Sequence, residues 1–269
     1  MAKEAGADES EKRTVTSVEN ACDIIDVLYQ KSGTRLTEVA RELDLNKGTV
    51  HTQLQTLRER GYVHKRDKVY NPSMRFLEIG EGLKSDMELF RAAQDELVEL
   101  ANETGEYAHL MIEQNGWGYI VHKEKGNKAA TTTSRAGKKL HLHYTSTGKA
   151  ILAHLSEQRV QEIVEKHGLP ERTDTTVTDY EELQKELAEV RDRGYSFDRG
   201  EQINEARCVG APVRKPGGTV LGAISVSGPA SRLSGDFFEE ELPEMVSSTA
   251  NVIEMNIEVE RLNTSASHV

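Results

Sequence analysis

The chain has 269 residues and carries 45 acidic side chains against 34 Lys and Arg, a net charge of −11. That length suits one large or two ordinary domains with sizeable cores. No apolar run is long enough to span a membrane, and the charged start, MAKEAGADESEKR, lacks the apolar core of a secretory leader. Cys22 and Cys208 lie far apart without metal-ligand spacing. The expectation is a cytoplasmic protein in a reducing compartment; the excess of acid suits a salt-rich cytoplasm, though many proteins elsewhere are as acidic.

Residues 1–13 read as a polar, disordered tail. Ser17 can cap a first helix over Val18–Tyr29, where Val18, Ala21, Ile25 and Leu28 recur at helical spacing and Cys22 reads as a small core residue. In Leu36–Leu43 the apolar residues Leu36, Val39, Ala40 and Leu43 mark one face of a second helix. Asp44-Leu45-Asn46 breaks that pattern, and Asn46 is an N-cap for a third helix stopped by Gly61. In that third helix Val50, Leu54 and Leu57 face inward. Lys47, Thr49, His51, Thr52, Gln53, Gln55 and Arg58 face out, with donors and acceptors suited to base edges and phosphates in a major groove. Tyr62–Asn71 reads as two short strands around a charged turn, Lys65-Arg66-Asp67-Lys68.

Two amphipathic helices joined by a turn occur in many helical proteins, so the charge pattern matters. From Asn46 to Lys68 there are six basic residues (Lys47, Arg58, Arg60, Lys65, Arg66, Lys68) and two acidic ones (Glu59, Asp67), a net +4 inside an acidic chain. Such an island is the electrostatic footprint of a phosphate-contacting module. The unit reads as a helix-turn-helix with a basic wing, ending near Pro72.

Ser73–Thr104 is a long helical tract, with 73–86 read as a linker helix that bends near Gly82–Asp86 into the next domain. It can carry motion between domains, pair with its copy in a dimer, or simply pack. From Glu106 the period changes. Strands are expected at Ala108–Glu113, Gly118–His122 and Thr131–Ser134, with an extended entry at Leu140–His143. Helices follow at Ser146–Leu155, Ser156–His167 and Tyr180–Gly194, then strands at Tyr195–Asp198, Arg207–Val213 and Val220–Ser227. A closing helix is expected at Glu239–Leu262. The fold class is α+β: a sheet flanked by helices from both ends of residues 87–262, with a tail from 263.

In this second domain, Ser146, Thr147 and Gly148 open a helix whose free amides and dipole would favour an anion such as a carboxylate. Asp198 and Glu201 flank a glycine turn. Ser225 and Ser227 share one face of a strand; they either line a pocket with hydroxyls or lie on a solvated sheet face. His141 and His143 form an H-x-H that, with His109, His122 or Cys208, would be needed for zinc, but no third ligand has diagnostic spacing, so no metal or cofactor is expected. No nucleophile elbow surrounds Cys208, and GGTVLG at Gly217–Gly222 is a hairpin turn, not a phosphate loop, so no catalysis is expected.

The segments SVENACDIIDVL, LTEVARELDLNKGTVHTQLQTLRERGYV and LEIG resemble the winged helix-turn-helix of the IclR family of transcriptional regulators. LHLHYTSTGKAILAHL, ELAEVRDRGYSFDRGEQINEARCVGAPV and GAISVSGPASRL resemble its effector-binding domain, so the likeness runs from about Thr14 to Leu262. The resemblance implies a winged helix-turn-helix at 14–72 and a GAF-like effector domain. It also implies a small metabolite held at positions matching Leu140, Ser146, Thr147, Asp198, Cys208, Ser225 and Ser227. The two residues before GKA, often small in the family, are Ser146 and Thr147, and the larger Thr147 would narrow such a pocket. A ligand-responsive regulator of carbon-source genes is therefore expected, activating or repressing, as a homodimer or tetramer on double-stranded DNA. Lys47, Thr49, His51, Thr52 and Gln55 would lie in the groove and Lys65, Arg66 and Lys68 on the wing. Its effector would be a sugar, sugar acid, or organic or aromatic acid. The alternative is a metabolite-binding protein whose winged helix contacts proteins.

Overall fold

The computed structural model describes residues 14–132 and 134–266. The expected amino-terminal tail therefore lies outside the described residues. The chain divides into two compact units between Leu83 and Lys84.

The first unit contains α1 (Thr16–Gln30), β1 (Thr34–Arg35), α2 (Leu36–Glu42), α3 (Lys47–Glu59), β2 (Val63–Arg66) and β3 (Val69–Pro72), followed by the start of α4 (Arg75–Ser85). Ile24, Val27 and Leu28 of α1 pack with Val39, Ala40, Val50, Leu54, Leu57, Val63 and Tyr70. Two expectations for α1 fail. The helix starts earlier, with Val15 at its N-cap and no side-chain cap, so Ser17 lies inside the first turn. Its core face centres on Ile24 and Leu28, and Cys22, 200° of helix turn away from Ile24, is exposed, as is Val18 at 58%. The Asn46 side chain accepts a hydrogen bond from the Thr49 amide at 2.8 Å, the cap read from the sequence. The wing turns on Asp67 and Lys68, both with positive φ, which matches the twist of a two-residue hairpin. A short strand missed by periodicity, β1, pairs with β3, whose other edge carries β2.

The second unit contains α5 (Glu88–Thr104), β4 (Tyr107–Gln114), β5 (Trp117–Lys125), β6 (Lys139–Leu140), α6 (Ser146–Leu152), α7 (Glu157–His167) and α8 (Tyr180–Arg193). It continues with β7 (Ser196–Asp198), β8 (Ala206–Arg214), β9 (Val220–Pro229), a π-helical turn (Phe237–Glu241) and α9 (Leu242–Ala266). α4 and α5 are separated at Asp86–Met87, where Met87 takes extended backbone. The six strands form one antiparallel sheet in the order β6-β5-β4-β9-β8-β7.

One sheet face presents Ala108, Leu110, Val209, Ala211, Ile224 and Val226 to Leu97 and Leu100 of α5 and to Val246, Ile253 and Ile257 of α9. The other packs Met111, Ile120 and Ala223 against Ile151 and Leu152 of α6 and Leu183, Leu187 and Val190 of α8. Several elements differ from expectation; α6, for one, ends at Leu152 and not Leu155. No strand forms at residues 131, 132 or 134, while Thr133 lies outside the described residues. α9 runs on to Ala266, so the tail expected from 263 is helical at its start.

Candidate functional site

The register of the sheet builds a cavity on its α6 side. Cα pairing aligns Asp198 with Cys208, Cys208 with Ser227, and Ser227 with Tyr107. A second row aligns Ser196, Gly210, Ser225 and His109. Aligned residues of antiparallel neighbours point to one face, so β7, β8, β9 and β4 present a polar floor in an otherwise apolar sheet. The cavity over it is about 270 Å³. Leu140, Ser146, Thr147, Asp198, Cys208, Ser225 and Ser227 all line it, and Met111, Ile120 and Ile203 supply apolar wall.

α6 meets this floor closely. A Cβ on Gly148 would fall 2.1 Å from the Leu142 carbonyl oxygen, and one on Gly210 would fall 2.8 Å from the Ser146 carbonyl carbon. Only glycine allows helix, loop and strand backbones to approach this far. Ser196 Oγ donates to the Ser146 carbonyl at 2.5 Å and ties the helix start to β7. The Gly148 amide, read from the sequence as free, donates to Thr145 Oγ1 at 3.0 Å, and Thr145 caps the helix. The Thr147 hydroxyl turns to Met111 Sδ at 3.2 Å.

Titratable groups here are held in unusual states. Burial, with the charge of Lys123 nearby, lowers the pKa of His109 to about 3. Its neutral ring lies 3.2 Å from Ser134 Oγ and 3.5 Å from Ser227 Oγ. Asp198 Oδ1 accepts from the amides of Gly200 and Glu201 at 3.0 and 2.7 Å, and Cys208 Sγ lies 3.7 Å from Oδ2. Burial pushes the Asp198 carboxyl up despite the attraction of Lys149. Burial and the neighbouring Asp198 carboxylate push the Cys208 thiol well above its ordinary range. Behind the cavity, Lys149 is 0% exposed, with Nζ 2.5 Å from Oε1 of both Glu186 and Glu201. Glu106 at the rim is held by a forked ion pair with Arg232.

Pattern reading missed His109, Met111, Ile120, Gln202 and Ile203. The alternation of β4 put His109 and Met111 on one face, but only pairing with β9 identifies that face with the one bearing Ser225. Of the histidines weighed as metal ligands, His141 and His143 meet edge to face, with centroids 5.6 Å apart, but each ring also has other partners. His141 packs against Trp117 with ring centroids 4.4 Å apart, His143 Nε2 lies 3.2 Å from the Pro170 carbonyl, and His122 pairs with Glu124. Among the described residues no three His, Cys, Asp or Glu are grouped to hold a metal.

In the first unit, Lys47, His51, Thr52, Gln55, Lys65, Arg66 and Lys68 are exposed and Thr49 is half-buried. The outer face of α3 and the wing thus stand clear of the core. Thr52 Oγ1 donates to the Gly48 carbonyl at 3.1 Å, and Gln55 Nε2 donates to Glu59 Oε1 at 3.1 Å. Lys65 Nζ sits 4.9 Å from the Tyr70 ring centroid. The Arg66–Asp67 pair, at 3.8 Å and almost fully exposed, binds Arg66 only weakly.

A family model for the IclR helix-turn-helix domain matches residues 17–67, and one for the bacterial transcriptional regulator IclR C-terminal region matches residues 81–255. The chain belongs to the IclR family of transcriptional regulators. The probable HTH-type transcriptional regulator ArcR of Halobacterium salinarum is 34% identical over 256 residues, which cover 94% of this chain and 97% of that protein. The HTH-type transcriptional regulator KdgR of Escherichia coli is 31% identical over 236 residues, 87% of this chain and 88% of that protein. Among solved structures, the Thermotoga maritima IclR is 28% identical and superposes with a TM-score of 0.73 over 90% of this chain and 98% of that one. α1, α2, α3 and most of the wing thus fall in the helix-turn-helix domain of an IclR-family regulator, and the sheet and α6 fall in its C-terminal domain. No helix among the described residues is long and apolar enough to cross a membrane.

Proposed function

We propose that this IclR-family chain regulates carbon-source genes in the cytoplasm by binding operator DNA as a homodimer, or a pair of dimers, under control of a metabolite held over β7, β8, β9 and β4. The convergence of seven residues from five separate segments on one cavity carries this reading. The cavity suits a small molecule with an apolar body and several oxygens: Ser146, Thr147, Ser225 and Ser227 line it together with Met111, Ile120 and Leu140. A sugar, sugar acid, or organic or aromatic acid fits that description. The neutral imidazole of His109 and the protonated thiol of Cys208 suit hydrogen bonding to a ligand better than attack on one, which favours a sensor over a catalyst.

On the DNA side, Lys47, Thr49, His51, Thr52 and Gln55 would enter the major groove, and Lys65, Arg66 and Lys68 would meet phosphate or the minor groove. Dimerisation is supported by α4, which buries none of its side chains and leaves Phe76, Ile79 and Leu83, at i, i+3 and i+7 on one face, at 37%, 42% and 62% exposure. A second copy covering that stripe would remove it from water. The test is a genome-wide map of bound sites, followed by titration of the purified protein on those sites with metabolites of the adjoining genes. Clustered sites whose binding one metabolite alters are expected. Folded dimer without specific sites would overturn the reading and leave a winged helix used for protein contacts.

A further inference from the structure

The first turn of α4 is fastened to the carboxyl end of α3. Arg75 Nη1 donates to the Arg60 carbonyl at 2.9 Å, and its guanidinium lies 4.7 Å from the Tyr62 ring centroid. Ser73 Oγ donates to the Gly61 carbonyl and accepts from the Arg75 amide at 3.2 Å, while the Ser73 amide donates to the Tyr62 carbonyl at 2.9 Å. Phe76, one residue further on, meets the Tyr62 ring at 5.6 Å between centroids. Arg60 is the C-cap of α3, so Arg75 places a cation at the negative end of that helix and satisfies one of its terminal carbonyls. Because α4 buries no side chain, these contacts at its start set its direction relative to α3.

We infer that Arg75 is a positioning residue for DNA recognition: it locks α4 to α3, so that the spacing of two recognition helices in a dimer follows from how the two α4 helices pair. The inference rests on the proposed dimeric DNA reading. A lock of this kind acts on geometry, not on bases. Each base pair added between half-sites moves the second half-site along and around the duplex, so a rigid α3–α4 unit discriminates spacings and a loosened one does not.

The test uses the full chain on duplexes carrying two identical half-sites, chosen by binding-site selection, with the spacer changed by one or two base pairs. The wild type is expected to prefer one spacing by about tenfold or more, and Arg75→Ala to flatten that preference. Base preference within each half-site and the dependence on salt should stay as in the wild type. Arg75→Lys keeps the charge but loses the planar stack, so it should not restore spacing discrimination. Tyr62→Leu removes the ring beneath the guanidinium and serves if Arg75→Ala fails to fold. An unchanged spacing profile in the folded variant would overturn the inference. So would a uniform loss of affinity with a shallower salt dependence, rescued by Lys, which is the behaviour of a phosphate contact. Failure of the wild type to bind any duplex would instead remove the DNA reading itself.

Discussion

Lys149 and Glu201 form a buried ion pair directly behind the cavity, with Nζ 2.5 Å from Oε1 and side chains 0% and 8% exposed. Burial opposes the charge on Lys149, but Glu201 and Glu186 more than offset it and raise its pKa. Burial also pushes Glu201 up to about 7 from an ordinary 4.5, even with Lys149 beside it, and Glu186 and Asp198 add repulsion. Lys149→Met would leave the buried Glu201 and the half-buried Glu186 without their cation. It should destabilise the domain by about 3–5 kcal/mol in urea titration, and Glu201→Gln in the same chain should recover part of the loss.

The same pair sets a pH dependence. Between pH 4.5 and about 7 the folded state holds the Glu201 proton and the unfolded chain does not. This group's contribution to stability therefore declines as pH rises through that window. Glu201→Gln cannot titrate, so its stability relative to the wild type should improve as pH rises across the window. A difference that stays flat, measured by urea unfolding at each end of the range, would contradict the assignment.

His109 acts in the opposite direction. Its pKa falls from 6.5 unfolded to about 3 folded, so its stabilising contribution is complete above pH 6.5 and is lost as pH falls toward 3. The slope from this one group is about 1.4 kcal/mol per pH unit inside the window. His109→Gln should lose less stability on acidification than the wild type does, as read from paired denaturation curves.

Filling the cavity should separate its role from folding and DNA binding. Thr147 and Ser225 both line it, and Thr147→Phe or Ser225→Leu would occupy the volume a metabolite needs. Operator affinity without metabolite should stay within about twofold, because both positions belong to the second unit and neither contacts DNA in the proposed reading. The metabolite's effect on that affinity should disappear in a titrated gel shift. A normal response in both variants would place the ligand elsewhere.

On the DNA side, position and chemistry predict two kinds of defect. His51→Ala and Gln55→Ala should change which bases are preferred, each altering discrimination at one position by about 1–3 kcal/mol in a competition series. Lys68→Ala, at the exposed wing turn, should weaken all sequences alike and reduce the salt slope by about 1. A base-specific defect at Lys68 would reverse the two roles.

Much of the first unit was legible without coordinates because its information is local. Val50, Leu54 and Leu57 sit one helical face apart, and Asn46 caps the helix three residues before the amide it accepts from. The errors there are of phase: α1 carries apolar residues on more than one face, so periodicity chose Val18 where packing chose Ile24 and Val27, and Cys22 went to the wrong side. The pairing of β1 with β3 escaped because two residues carry no period.

By itself the sequence determined the order of the longer helices and strands, the basic island on an acidic chain, and the likeness that ran through both halves. It could place Ser225 beside Ser227, since alternation along one strand is local. Only the tertiary structure decided that Ser227 meets Tyr107 on one side and Cys208 on the other, and that Asp198 ends the same row. Strand register between segments over a hundred residues apart is set by the packing of both sheet faces at once. It also decided what the GKA segment does. Gly148 is there because no Cβ fits against Leu142, and Lys149 because the buried Glu201 and half-buried Glu186 carboxylates require a cation.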